Sequence, residues 1–174
     1  MNDKINLICP SKELEQQALE YRREHFDFGE SVINGSELFD QMDDYNEWLN
    51  RVLLNSNAET VSPGWVLTDT FFAIRESDQK IVGMIDLRYQ LNEFLKDFGH
   101  CGYSVRPTER NKGYATEMLA QICQKAKTYG LNRLQLSVEK SNLPSIRTIL
   151  KNGGQYSRSF CVGEEMADIY FIDL

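Results

Sequence analysis

Histidine is scarce, with only His25 and His100 in 174 residues, and the four cysteines (Cys9, Cys101, Cys123, Cys161) are scattered without a C-x-x-C pair. That spacing fits neither a zinc site nor a disulfide framework, so reduced thiols and no bound metal are expected. No stretch approaches the ~20 apolar residues of a membrane span, and "MNDKINLICP" lacks the apolar run of a leader. A cytoplasmic chain with no membrane partner is expected. Positive charge is in deficit: 19 Lys and Arg face 26 Asp and Glu, a net charge of −7. A nucleic-acid binder needs a basic footprint to capture phosphates, so nucleic acid is excluded as a partner. Repeats, low-complexity tracts and Pro/Gly-rich linkers are also missing, which leaves one domain over 1–174. Neither G-x-x-x-x-G-K-[ST] nor G-x-G-x-x-G occurs, so the two commonest phosphate-binding glycine motifs are absent.

What is present is core material: 41% hydrophobic residues, enough at this length for one well-buried domain. Ile5 to Cys9 reads as a short strand ended by Pro10. From Ser11, Leu14, Ala18, Tyr21 and His25 recur at helical spacing. Beyond the "NGS" break, Leu38, Met42, Tyr45, Leu49 and Val52 predict a second amphipathic helix. Trp65–Arg75 and Ile81–Leu91 are β-branched and aromatic runs around the turn "ESDQK", a hairpin. A third run, Phe98–Val105, stops at Pro107. An amphipathic helix from Gly113 precedes the alternating strand Arg133–Glu139, and Asn142, Pro144 and Gly153 mark a short helix. Strands near Gln155–Val162 and Met166–Asp173 close the chain. The order βααβββαβαββ describes an α/β domain with a mixed sheet flanked by helices.

The helix opening at Gly113 concentrates the scarce positive charge. Ala115, Met118, Leu119, Ile122, Cys123 and Ala126 form its apolar stripe, and Gly130 supplies a left-handed stop. No Ser, Thr, Asp or Asn stands directly before Gly113; Arg110, Asn111 and Lys112 do. The first-turn N–H groups therefore lack a side-chain acceptor, and two ligands suit them: solvent, or an anion favoured by the helix dipole and the neighbouring cations.

The string "VRPTERNKGYA", with R-x-x-G-x-A at Arg110, Gly113 and Ala115, resembles the coenzyme A loop of the GNAT N-acetyltransferase superfamily, of the small bacterial acetyltransferase type. The strand that follows, and the helix with Asn142 and Ser145 ending in "KNGG", are similar to it too. The resemblance implies a splayed pair of central strands, Phe98–Val105 and Arg133–Glu139, with acetyl-CoA between them as co-substrate. Its pyrophosphate would lie on the amides of Arg110, Asn111, Lys112, Gly113, Tyr114, Ala115 and Thr116. Its pantetheine arm would pair with the backbone of Tyr103, Ser104 and Val105, and Asn142 would bond the arm near the thiol.

The implied reaction is transfer of an acetyl group to a primary amine of a small molecule or peptide, by direct attack. Deprotonating a lysine-like amine at pH 7 costs ~4.6 kcal/mol, whereas a coenzyme thiolate leaves at a cost of ~2 kcal/mol. The base therefore matters more than the acid. His100 is the favoured base, through a water, because its ordinary pKa suits neutral pH; a histidine packed into the sheet is the alternative. Asp86, Glu139 and Tyr103 are weaker candidates, and His25 suits the core. Relatives place a tyrosine acid seven residues after the asparagine; here that residue is Ile149, which leaves Ser145, water or no acid. Ile149 also favours the second reading, a non-catalytic acyl-CoA-binding or regulatory module. The acceptor side would be built from Ser11–Asn55 and the last strands, with Tyr45 and Trp48 mainly in the core, and a homodimer is compatible with this reading.

Overall fold

The computed structural model describes residues 3–174. Its elements are β1 (Ile5–Ile8), α1 (Glu15–Asp27), α2 (Tyr45–Asn55), β2 (Thr68–Arg75), β3 (Ile81–Arg88), β4 (Tyr103–Val105), α3 (Tyr114–Tyr129), β5 (Arg133–Glu139), α4 (Leu143–Lys151), β6 (Gln155–Val162) and β7 (Glu165–Asp173), with 3-10 turns at Lys12–Leu14 and Pro107–Glu109. The order agrees with the sequence pattern.

Two sheets result, β1-β2-β3-β4 and β5-β7-β6, and every pairing inside them is antiparallel. The expected mixed sheet is thus two antiparallel halves whose facing edges, β4 and β5, separate. Alternation along β2 and β3 feeds two cores. Phe71, Ala73, Val82, Ile85 and Leu87 pack with Met118, Leu119 and Ile122 of α3. Phe72, Ile74, Ile81 and Met84 face Ala18 and Tyr21 of α1 and Trp48, Leu49 and Val52 of α2. A strand whose neighbours on both sides are helices must be apolar on both faces, which is why these two strands read as continuous hydrophobic runs.

Two expectations change. α2 starts at Tyr45, not Leu38, because Asp44 accepts the amides of Asn46 and Glu47 and caps it there. Glu37 and Leu38 have φ of 51° and 65°, which no helix allows. The apolar spacing of Leu38 and Met42 is thus that of a folded loop before the helix. The predicted strand Phe98–Val105 shortens to Tyr103–Val105, with an isolated bridge from Gly99 to Leu136.

His100 explains why the two edges part. Its N–H donates to Gln135 O at 2.8 Å, and its ring Nδ1 accepts the Gln135 N–H at 2.9 Å. The imidazole takes the amide that the next backbone carbonyl of a continuing ladder would have used. Pairing stops, and the edge of β4 beyond it is left facing the edge of β5.

Candidate active site

The loop before α3 is held from below. Glu109 is buried and receives Arg75 (2.7 Å), Lys80 (3.0 Å) and Lys112 (2.7 Å), which fix the turn to the β2–β3 hairpin. Burial works against the charged form, but the bonds from Lys112, Lys80 and Arg75 outweigh it and hold the carboxyl at about 2. Arg106 is anchored to Glu24 (2.9 Å) and Ile81 O (2.7 Å). On this base Asn111 (φ 62°) and Gly113 (φ 86°) adopt left-handed conformations, and α3 begins without a side-chain cap. Glycine meets no Cβ penalty at such a φ. The amides of Asn111, Lys112, Gly113, Tyr114, Ala115 and Thr116 have no hydrogen-bond acceptor among the described residues. Six unpaired donors thus stand at the positive end of a 16-residue helix, an arrangement that favours negative charge.

The cations are placed otherwise than the sequence suggests. Lys112 is engaged by Glu109, and Arg110 turns back to Glu30 at 2.6 Å while its Nε donates to Val105 O at 3.2 Å. Tyr114 contributes only its amide, since its ring is buried and its hydroxyl accepts from Arg75. The donors that converge at this site are backbone groups.

β4 leads from this loop into the opening. Ser104 turns toward α1, its hydroxyl 2.8 Å from Tyr21 Oη, and Tyr103 crosses the other way to α4, its Oη 2.7 Å from Ser145 Oγ. Asn142 caps α4 by accepting the Ser145 amide at 3.2 Å, which occupies Oδ1 and leaves Nδ2 free. Of the sequence-predicted residues, Tyr103, Ser104 and Val105 thus form the edge strand β4, and Tyr103 meets Ser145 on the α4 turn that Asn142 caps, while the Ser104 side chain turns away to α1.

His100 does not fit the role of base. With Nδ1 accepting from Gln135, the neutral ring carries its proton on Nε2, so neither nitrogen offers a free lone pair. Burial, and next the nearby Arg88, lower its pKa below the ordinary histidine value. Its geometry is that of a staple between the sheet halves. His25 is buried with Nδ1 on Glu30 at 2.7 Å, Tyr45 and Trp48 are core, and Glu139 is exposed at a strand end.

Sequence reasoning missed Glu37. Gly35 packs its backbone on Gly102, where a Cβ would stand 2.2 Å from Gly102 O, and this contact presses the loop onto the start of β4. Glu37 follows two residues later, buried, accepting from Asn55 Nδ2 at 3.2 Å. Burial, with Asp86 nearby, raises its carboxyl to about 7. Asp86 is itself buried, paired with Arg88 at 2.7 Å and accepting the Gly102 N–H at 2.6 Å. No linear motif announces this cluster, because its members come from the loop after α1, from α2 and from β3.

Among the described residues no group of His, Cys, Asp or Glu is arranged to hold a metal ion, and no helix is long and apolar enough to cross a membrane. A family profile described as "Acetyltransferase (GNAT) domain" matches residues 30–155, well over half of the chain. The chain belongs to the GNAT acetyltransferase family. No curated protein matches its sequence. Among solved structures it is similar to the microcin C7 self-immunity acetyltransferase MccE in complex with acetyl-CoA and AMP, at 16% identity, TM-score 0.73, covering 99% of this chain and 94% of that one. The spermidine/spermine N-acetyltransferase SpeG from Vibrio cholerae aligns at 12% identity and TM-score 0.66, covering 97% and 93%. A GNAT-family acetyltransferase from Bacillus anthracis aligns at 20% identity and TM-score 0.63, covering 98% and 96%. At these identities the likeness is one of fold.

Within the GNAT frame the residue seven beyond Asn142, Ile149, is buried in the core and supplies no hydroxyl. Tyr103 reaches the first turn of α4 from the neighbouring strand instead and brings a phenol to Ser145.

Proposed function

We propose that the protein transfers the acetyl group of acetyl-CoA to a primary amine of a small molecule or peptide. The observation that carries this reading is the row of unpartnered amides from Asn111 to Thr116, which suits a diphosphate, at one end of an unpaired strand edge. An extended amide-bearing arm can add to such an edge as a further strand does. The free Nδ2 of Asn142 is available to the arm, and the amides of β4 are available to it on the open side.

When bound, acetyl-CoA supplies an activated acyl carbon and a thiol leaving group. The protein's part is to anchor the phosphates on backbone amides, to hold the acceptor nitrogen free of its extra proton, and to deliver a proton to sulfur. Tyr103 and Ser145, hydroxyl to hydroxyl, are the groups we assign to the last task. Burial raises the Tyr103 phenol above its ordinary pKa, which keeps it protonated at neutral pH. That assignment supports the transferase reading over a non-catalytic module, which Ile149 alone would favour.

A thiol-release assay with acetyl-CoA and a panel of polyamines, amino sugars, amino acids and peptides tests the reading. Release that depends on the amine, with acetylated product found by mass spectrometry, is expected. Binding of acetyl-CoA without turnover on any amine would favour the regulatory module.

A further inference from the structure

We infer that Glu37, buried on Asn55 where the loop after α1 meets the start of β4, is the group that takes the proton from the acceptor amine. The inference deepens the transferase reading and rests on it.

Arg110 Nε on Val105 O ties the phosphate-binding loop to the C-terminal end of β4. The Asp86 carboxylate on the Gly102 N–H, and Gly35 against Gly102 O, tie the acidic cluster to the N-terminal end of the same strand. An arm laid along β4 from the loop runs toward the carboxylates.

Thr70 Oγ1 has no hydrogen-bond partner among the described residues although Thr70 is only 2% exposed. Thr70 is paired directly across the β2–β3 ladder from Asp86, so both side chains share one face. Arg88 Nε and Arg51 Nε are likewise buried without a partner. Buried polar groups are rarely left so; the Thr70 hydroxyl can accept from an amine guest, whereas the two guanidinium N–H groups can only donate, to an acceptor atom of that guest.

Asp86 is committed to Arg88 and to Gly102, whereas Glu37 has only Asn55. The charged groups whose fields act on Glu37 are Asp86 and Arg88 from β3 and Arg51 from α2. Burial, with Asp86 nearby, raises its carboxyl to about 7, a range in which a base both accepts and releases a proton readily near neutral pH. The amine arrives as R–NH3+. One N–H bond breaks, its electron pair stays on nitrogen, and the proton joins a Glu37 oxygen. Nitrogen then bonds to the acetyl carbon as the C–S bond breaks, a second nitrogen proton ends on sulfur, and Glu37 returns its proton to solvent. The third nitrogen proton remains in the amide.

The test is Glu37→Gln, which keeps the Asn55 bond. At pH 7 kcat should fall at least 100-fold, with calorimetric affinity for coenzyme A unchanged, and the wild-type kcat/KM limb near neutral pH should vanish. Glu37→Asp should recover part of the rate. Independently of activity, the Glu37 side-chain carboxyl, followed by 13C NMR, should titrate near neutrality in the free protein. A carboxyl titrating below pH 5, or a Gln variant with the wild-type rate and limb, overturns the assignment. Failure of the unaltered protein to release thiol with any amine overturns the transferase reading itself, so the two failures are told apart.

Discussion

Arg110, which precedes the unpaired amides that open α3, is held 2.6 Å from Glu30, which in turn bonds His25. A carboxylate on Arg110 competes with any anion for the same guanidinium. Glu30→Gln weakens that hold, and coenzyme A should bind two- to fivefold tighter, as expected for a half-exposed ion pair worth under ~1 kcal/mol. Arg110→Ala should weaken binding about tenfold, the scale of one charge-assisted bond. Isothermal calorimetry on both variants checks the pair of signs.

Tyr103 and Ser145 should matter less than Glu37. Expelling the thiolate without help costs only ~2 kcal/mol, so Tyr103→Phe and Ser145→Ala should each lower kcat by no more than about thirtyfold. The double variant should be little worse than either single one, because the two hydroxyls act as one donor. Steady-state kinetics with a fixed amine decides this; additive losses would mean that the hydroxyls act separately.

Glu109 links site geometry to acid stability. Its folded-state carboxyl lies near 2, below the ordinary 4.5 of an unfolded chain. A lowered carboxyl gives stability that is present above pH 4.5 and is lost as pH falls toward 2. Glu109→Gln should therefore destabilise the protein by roughly 2 kcal/mol at pH 7, after allowance for the partly exposed Lys80 and the exposed Lys112, and by almost nothing at pH 2. Urea unfolding at the two values measures the difference. Loss of coenzyme binding in the same variant at pH 7 would show that the turn, as well as the helix end, carries the loop.

Local chemistry made much of this fold legible. α3 could be read because glycines stand at both ends and its apolar stripe keeps steps of three and four. The hairpin of β2 and β3 could be read because strands covered by helices on both faces are apolar throughout. What could not be read depends on partners distant in sequence. Gln135 turns His100 from a base into a staple, and nothing near His100 foretells it. Leu38 and Met42 match the helical period of α2, yet the close approach of Gly35 to Gly102 bends that segment into a loop and buries Glu37. Arg110 and Lys112 advertise a phosphate site, but their side chains are taken by Glu30 and Glu109, and the unpaired donors are backbone groups common to any sequence.

The claim on which the account rests is that the amides opening α3 receive the diphosphate of the coenzyme. Titration of the 15N-labelled protein with coenzyme A, followed by amide NMR, tests it most directly. Saturable shifts at Asn111 to Thr116, joined by shifts at Tyr103 to Val105, are predicted. Amides at Asn111 to Thr116 that stay unmoved at saturating coenzyme would contradict it.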